Sequence, residues 1–144
     1  MKKIAFTITA LLIVSLFGCG KETTGASAGE KTVNIKVNCL TAVEYGKGGL
    51  PVDGMILNES LTVSGDKSVF DILKTALEKN GLTIDARGDY IKSIGGLGEG
   101  DCGKSSGWMY RVNGEFPNKS CGRYVPGDGD QIEFIYSVEY GDIL

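Results

Sequence analysis

The sequence predicts an α+β domain, one helix packed across a mixed β-sheet, and three observations carry that expectation. Val33, Ile35 and Val37 alternate with Asn34, Lys36 and Asn38, the period of a half-buried strand. A stretch opening at Ser68-Val69-Phe70-Asp71 places Val69, Ile72, Leu73, Ala76 and Leu77 at helical spacing, so they form one apolar face. The C-terminal third returns to strand-like patterns, Trp108 to Val112 and Gln131 to Tyr136, with turn residues between them.

The elements follow in chain order. Met1-Lys2-Lys3 is positively charged, Ile4 to Phe17 carries no charge, and Leu16-Phe17-Gly18-Cys19 closes the run. A charged start, a short apolar middle and a small residue before the cut describe a secretory signal peptide over residues 1–18. The apolar run is shorter than the roughly 20 residues that span a bilayer. Its last four residues resemble the bacterial lipobox, whose cysteine is lipidated and becomes the mature N-terminus. Phe17 is bulkier than usual there, and an ordinary signal peptide containing a cysteine is the alternative. The lipobox reading makes Cys19 a membrane anchor and places the protein on the extracytoplasmic face of the cell membrane. Residues 19–31 hold no bulky apolar side chain and read as the lipidated cysteine plus a flexible stalk; the domain proper covers 32–144.

After the first strand, Thr41 to Pro51 reads as loop, and Val52 to Leu57 and Glu59 to Val63 as short extended pieces. Ser68 can cap the helix, Asp71 suits the positive end of its dipole, and Asn80-Gly81 ends it. Leu82-Thr83-Ile84 and Tyr90 to Ile94 follow as short strands. Gly95-Gly96-Leu97-Gly98-Glu99-Gly100 lacks the spacing of a phosphate-binding loop and reads as a plain connection. Asn113-Gly114 marks a two-residue hairpin returning through Glu115-Phe116-Pro117. Asp128-Gly129-Asp130 is a turn rather than a calcium loop, since the spaced ligands and distal glutamate are missing. No metal site is expected.

Composition narrows the function. The chain has no histidine, which removes Ser-His-Asp and Cys-His nucleophiles and His-containing zinc sites. Carboxylate chemistry alone would survive, and no spacing suggests a carboxylate pair, so an enzyme is not expected. The formal net charge of −3 moves to near −5 once Lys2 and Lys3 leave with the leader, 13 basic against 18 acidic residues. With no basic cluster, nucleic acid is not an expected partner. Beyond Cys19, three cysteines remain. Cys102 and Cys121 flank the Trp108 segment in Gly-rich loops and are expected to form a disulfide, leaving Cys39 free and buried.

Ser106-Gly107-Trp108-Met109-Tyr110-Arg111-Val112-Asn113-Gly114-Glu115-Phe116-Pro117-Asn118 carries a resemblance. With Cys121-Gly122-Arg123-Tyr124, Asp128 to Phe134 and the Ser68 to Leu73 helix start, it is similar to the transcobalamin-like C-terminal domain. That bacterial surface domain resembles the β-domain of the vitamin B12 carriers transcobalamin and intrinsic factor. The resemblance covers nearly all of residues 32–137 and implies a compact β-grasp-like fold. Relatives often carry a cysteine near Ser137 that is expected to bridge to one near Cys39; serine here leaves Cys39 without that partner.

The resemblance implies a lipid-anchored binding module that contributes to capture of cobalamin, another corrinoid or a different small ligand, with no resident cofactor. In the carriers the related β-domain covers one face of the corrin and a separate helical domain does most of the holding. An adhesion or protein-interaction module without a small ligand is the alternative, its partner then a surface protein. Trp108, Tyr110, Phe116 and Tyr124 are the candidate ligand-binding residues, because Trp and Tyr bury area while keeping a polar handle. Trp108, Tyr110 and Val112 share one strand face and would equally serve as core; for Tyr124 the two roles stay balanced.

Overall fold

The computed structural model describes residues 29–139 and 141–143. Cys19 and the leader expected over residues 1–18 lie outside the described residues. Along the chain run β1 (Glu30–Asn38), α1 (Leu40–Glu44), β2 (Met55–Ser64), α2 (Val69–Lys79), β3 (Ile84–Arg87), β4 (Tyr90–Ile94), β5 (Leu97–Gly98), β6 (Gly107–Val112) and β7 (Gln131–Ser137).

Four strands form a mixed sheet in the order β2-β1-β7-β6, with β1 and β7 parallel and the other pairs antiparallel. Alternation in β1 points Val33, Ile35 and Val37 into the core, where Ile132 and Phe134 of β7 meet them. The expected apolar face of α2 covers that core: Val69, Ile72, Leu73, Ala76 and Leu77 are all fully buried. The fold is α+β, as the sequence predicts. A single sheet with one helix is corrected: β3, β4 and β5 form a separate antiparallel sheet, and α1 is a second, short helix. The three extra strands are only four, five and two residues long. Tight turns at Gly88 and Gly95-Gly96 fold them onto one another instead of onto β2. Ile91 and Ile94 from this small sheet join the main core.

The two extended pieces expected between 52 and 63 are one ten-residue strand, β2. Its register against β1 skips Ile56, since Val37 pairs with Leu57 and Asn38 with Met55. Ile56 is thus the extra residue of a bulge, which bends the strand end. Glu59 lies on the core side of β2 yet is not a stray charge. Lys79 Nζ approaches its carboxylate at 2.9 Å and Asn80 Nδ2 donates at 3.1 Å, so the last turn of α2 is tied to the sheet. β1 starts at Glu30, two residues before the expected domain start, because Glu30 and Lys31 pair with Ser64 and Val63.

The start of α2 is satisfied in three ways. Ser68 Oγ accepts from Asp71 N at 3.2 Å while the Asp71 carboxylate accepts from Ser68 N at 3.1 Å, a reciprocal capping box. Val69 N donates to the Tyr124 carbonyl at 2.8 Å and Phe70 N to the Cys121 carbonyl at 3.0 Å. The loop before β7 is therefore fastened to the head of the helix.

Candidate functional site

β6 forms one edge of the large sheet and carries the aromatic motif. The turn after it has the expected geometry: Asn113 at φ 53° and Gly114 at φ 84°, closed by a Val112–Glu115 bridge. The return strand stops there, because Pro117 has no N–H to continue a ladder. Asn113 instead clips the start of β7, donating to Asp130 Oδ1 at 2.9 Å and accepting from Gln131 N at 2.9 Å. Asp128 accepts from Thr32 N at 2.7 Å, which gives the acidic turn a structural role.

Trp108 sits where the two sheets meet. Its ring lies edge-on to Tyr136, centroids 5.2 Å apart, and its indole N–H donates to the Leu97 carbonyl at 2.9 Å. That bond ties β6 to β5 and fixes the ring. Beside it opens a cleft of about 650 Å³, built from the start of β4, the turn after β5, β6 and the segment after β7. Tyr90, Trp108, Met109 and Ile143 supply apolar surface; Glu99 and Lys104 supply opposite charges. Tyr90 and Met109 are 58% and 45% exposed, so their faces are open to a ligand. The Tyr90 hydroxyl donates to Glu99, and the paired carboxylate raises the phenol's pKa. After β7 the chain is pinned by Asp142, which accepts from Ser137 Oγ at 2.8 Å and Val138 N at 2.7 Å. This bend brings Gly141 and Ile143 to the cleft wall.

The four aromatic candidates separate. Trp108 lines the cleft and also a smaller hollow of about 200 Å³. Tyr110 lines only the smaller hollow. Its ring stacks on Phe134 at 5.8 Å, its hydroxyl donates to the Lys119 carbonyl, and burial pushes its pKa up to about 12. Phe116 and Tyr124 are half-buried and line neither cavity; Tyr124 packs edge-on to Tyr110 at 6.5 Å and against the main core. Tyr90, Met109, Glu99, Lys104 and Ile143 also line the cleft, and no sequence motif singles them out. Alternation put Met109 on the face opposite Trp108, and the cleft still takes both because it wraps an edge strand. Among the described residues no group of three or more His, Cys, Asp or Glu side chains gathers to hold a metal ion.

The expected Cys102–Cys121 bridge is corrected. Cys39, Cys102 and Cys121 are all free and buried. Cys121 belongs to the main core and its Sγ donates to the Asp89 carbonyl at 3.1 Å, whereas Cys102 lies in a second cluster with Cys39, Ala42, Leu97 and Tyr136. Cys102 and Cys121 thus belong to different buried clusters.

Residues 66–138 match the family described as a domain of unknown function, DUF4430. No curated protein matches the chain. Among solved structures, haptocorrin in complex with Cbi is similar, with a TM-score of 0.54 and 20% identity over 75% of this chain and 25% of that one. The chain thus spans about a quarter of haptocorrin, and the likeness is one of fold. A Ruminococcus gnavus protein provisionally named as metal binding aligns with a TM-score of 0.49 and 18% identity, over 76% of this chain and 99% of that one.

Proposed function

The chain belongs to the DUF4430 family, a domain of unknown function, and on that premise we propose that it is a non-catalytic module that binds a small amphipathic ligand outside the cytoplasm, anchored through lipidated Cys19. The cleft beside Trp108 carries the reading. Its volume of about 650 Å³ falls within the range of small-molecule sites, and its lining is the usual mix of apolar walls and a few polar groups. Tyr90 and Met109 present open faces, Trp108 is held rigidly by two core contacts, and Glu99 and Lys104 offer one acceptor and one donor. A rigid aromatic loses little entropy when a ligand stacks on it.

A corrinoid is the first ligand to test. Haptocorrin, solved with Cbi, shares the fold, and an open cleft of this size would cover part of a large ring without enclosing it. A flat adhesion surface would need an exposed aromatic patch. The half-burial of Tyr110, Phe116 and Tyr124 supports the cleft reading over that one.

Trp108 is the single tryptophan of the chain and reports directly on the cleft. Titration with cobinamide or cobalamin is expected to quench its fluorescence and to raise the melting temperature in proportion to saturation. Met109→Ala and Tyr90→Ala should weaken that response about tenfold with little change in melting temperature. Corrinoids that leave both signals unmoved at millimolar concentration would rule out this ligand class. A response undiminished in both variants would move the site elsewhere.

A further inference from the structure

Cys39 and Cys102 stand 63 positions apart (102 minus 39), yet both are buried in one small cluster, at 0% and 1% exposure. The segments bearing them are held together independently of the thiols. Lys47, just past α1, pairs with Asp101 at 3.0 Å, one residue before Cys102. Thr41 donates its hydroxyl to the Tyr136 carbonyl, and Tyr136 donates to the Gly98 carbonyl at 2.6 Å, so β7 links α1 to the β5 turn. Cys39 precedes α1 directly, and its N–H donates to the Gly54 carbonyl at 2.7 Å. Gly54 leaves no slack at this point, for a Cβ there would lie 2.5 Å from the Leu40 Cα.

We propose that Cys39 and Cys102 are a redox pair that closes to a disulfide when the chain folds in an oxidising compartment, which rests on the extracytoplasmic reading given above. The step is a thiol–disulfide exchange. One cysteine thiolate attacks an acceptor disulfide, that of a thiol oxidase or of oxidised glutathione, and releases one acceptor thiol. The second cysteine then attacks the mixed disulfide, forms the Cys39–Cys102 bond and releases the second acceptor thiol. The two protein thiols are oxidised and the acceptor disulfide is reduced, with no other reactant.

Timing follows from burial. Desolvation, with Asp53 and Cys102 adding, pushes the Cys39 thiol up to about 11, so little thiolate is present in the folded state and a folded, reduced chain exchanges slowly. The bridge therefore forms during folding, before the cluster closes. Cys121 takes no part, held in the other cluster against Asp89.

The test refolds the full chain in a glutathione redox buffer, alkylates free thiols under denaturing conditions and maps the peptides. The expected product carries a linked Cys39–Cys102 peptide, with Cys121 alkylated. It melts about 10 °C or more above its reduced form, since a cross-link over a long loop restricts the unfolded chain. Cys121→Ser should keep that shift, and Cys39→Ser or Cys102→Ser should abolish it. Reduced wild type serves as the folded reference should the serine variants fold poorly. Alkylation of both Cys39 and Cys102 after oxidative refolding, or a mapped bridge that includes Cys19 or Cys121, would overturn the proposal. These readouts do not depend on where the protein resides, so failure here is separable from failure of the anchor.

Discussion

Tyr124 shows how two contacts decide what a side chain is for. Its position after Cys121 in a loop reads from sequence as a binding residue as readily as a structural one. In the fold its ring leans edge-on against Tyr110 and its carbonyl takes the first N–H of α2. Truncation to alanine keeps the carbonyl but removes a half-buried ring from the main core. Tyr124→Ala is therefore expected to cost about 2–3 kcal/mol of stability, somewhat below the toll of a fully buried aromatic, as read by urea unfolding. Met109→Ala, which trims a side chain 45% exposed at the cleft mouth, should cost less than about 1 kcal/mol. Equal losses for the two would mean that Tyr124 is not part of the core. Arg111 illustrates the opposite case, in which the pattern was enough. Alternation put it on the face away from Trp108, and there it pairs with Glu133 of β7 at 2.7 Å.

At the scale of elements, legibility tracks length. α2 is eleven residues long, enough for three turns of periodicity, and its five buried residues are those the spacing picked out. α1 has five residues, too few to show a period, and was hidden in a glycine-rich stretch. The short extended pieces from β3 to β5 show in the sequence only as strands or loop, because their partners depend on turn geometry rather than on any single strand's pattern. The cap of α2 is the most local feature of the fold and gives a pH-dependent prediction. Hydrogen bonds from the Ser68 hydroxyl and Ser68 N–H hold the Asp71 carboxyl below the usual carboxylate range. A depressed folded-state pKa means the contribution is fully present above the unfolded value near 3.9 and is lost as pH falls through the folded one. Ser68→Ala is accordingly expected to cost about 1 kcal/mol at neutral pH, the usual worth of such a cap. The difference from wild type should narrow once the pH drops below about 4. Chemical unfolding at pH 7 and pH 3 checks both parts; a gap that widens on acidification would show that Asp71 is not stabilised through Ser68.

For the whole molecule, the cleft is the feature that sequence reasoning could reach least. Its walls come from β4, the turn after β5, β6 and the segment after β7, spread from Tyr90 to Ile143, 53 positions apart (143 minus 90), and united by two sheets whose relation no local pattern encodes. The aromatic motif named one wall, Trp108, and left the rest to topology. The proposed anchor is the reverse case, read wholly from the first 19 residues, whereas among the described residues the buried core begins at Val33. The two halves of the proposed function can therefore be tested apart by one substitution. Cys19→Ser removes the acceptor for the acyl chains, each methylene of which contributes about 0.8 kcal/mol of membrane affinity. The variant is expected to leave the membrane fraction for the soluble one on cell fractionation, while its melting temperature and the response of Trp108 fluorescence to corrinoid stay those of wild type. A Cys19→Ser chain that still sediments with membranes as completely as wild type would show that the apolar leader, not a lipidated cysteine, is what holds the protein there.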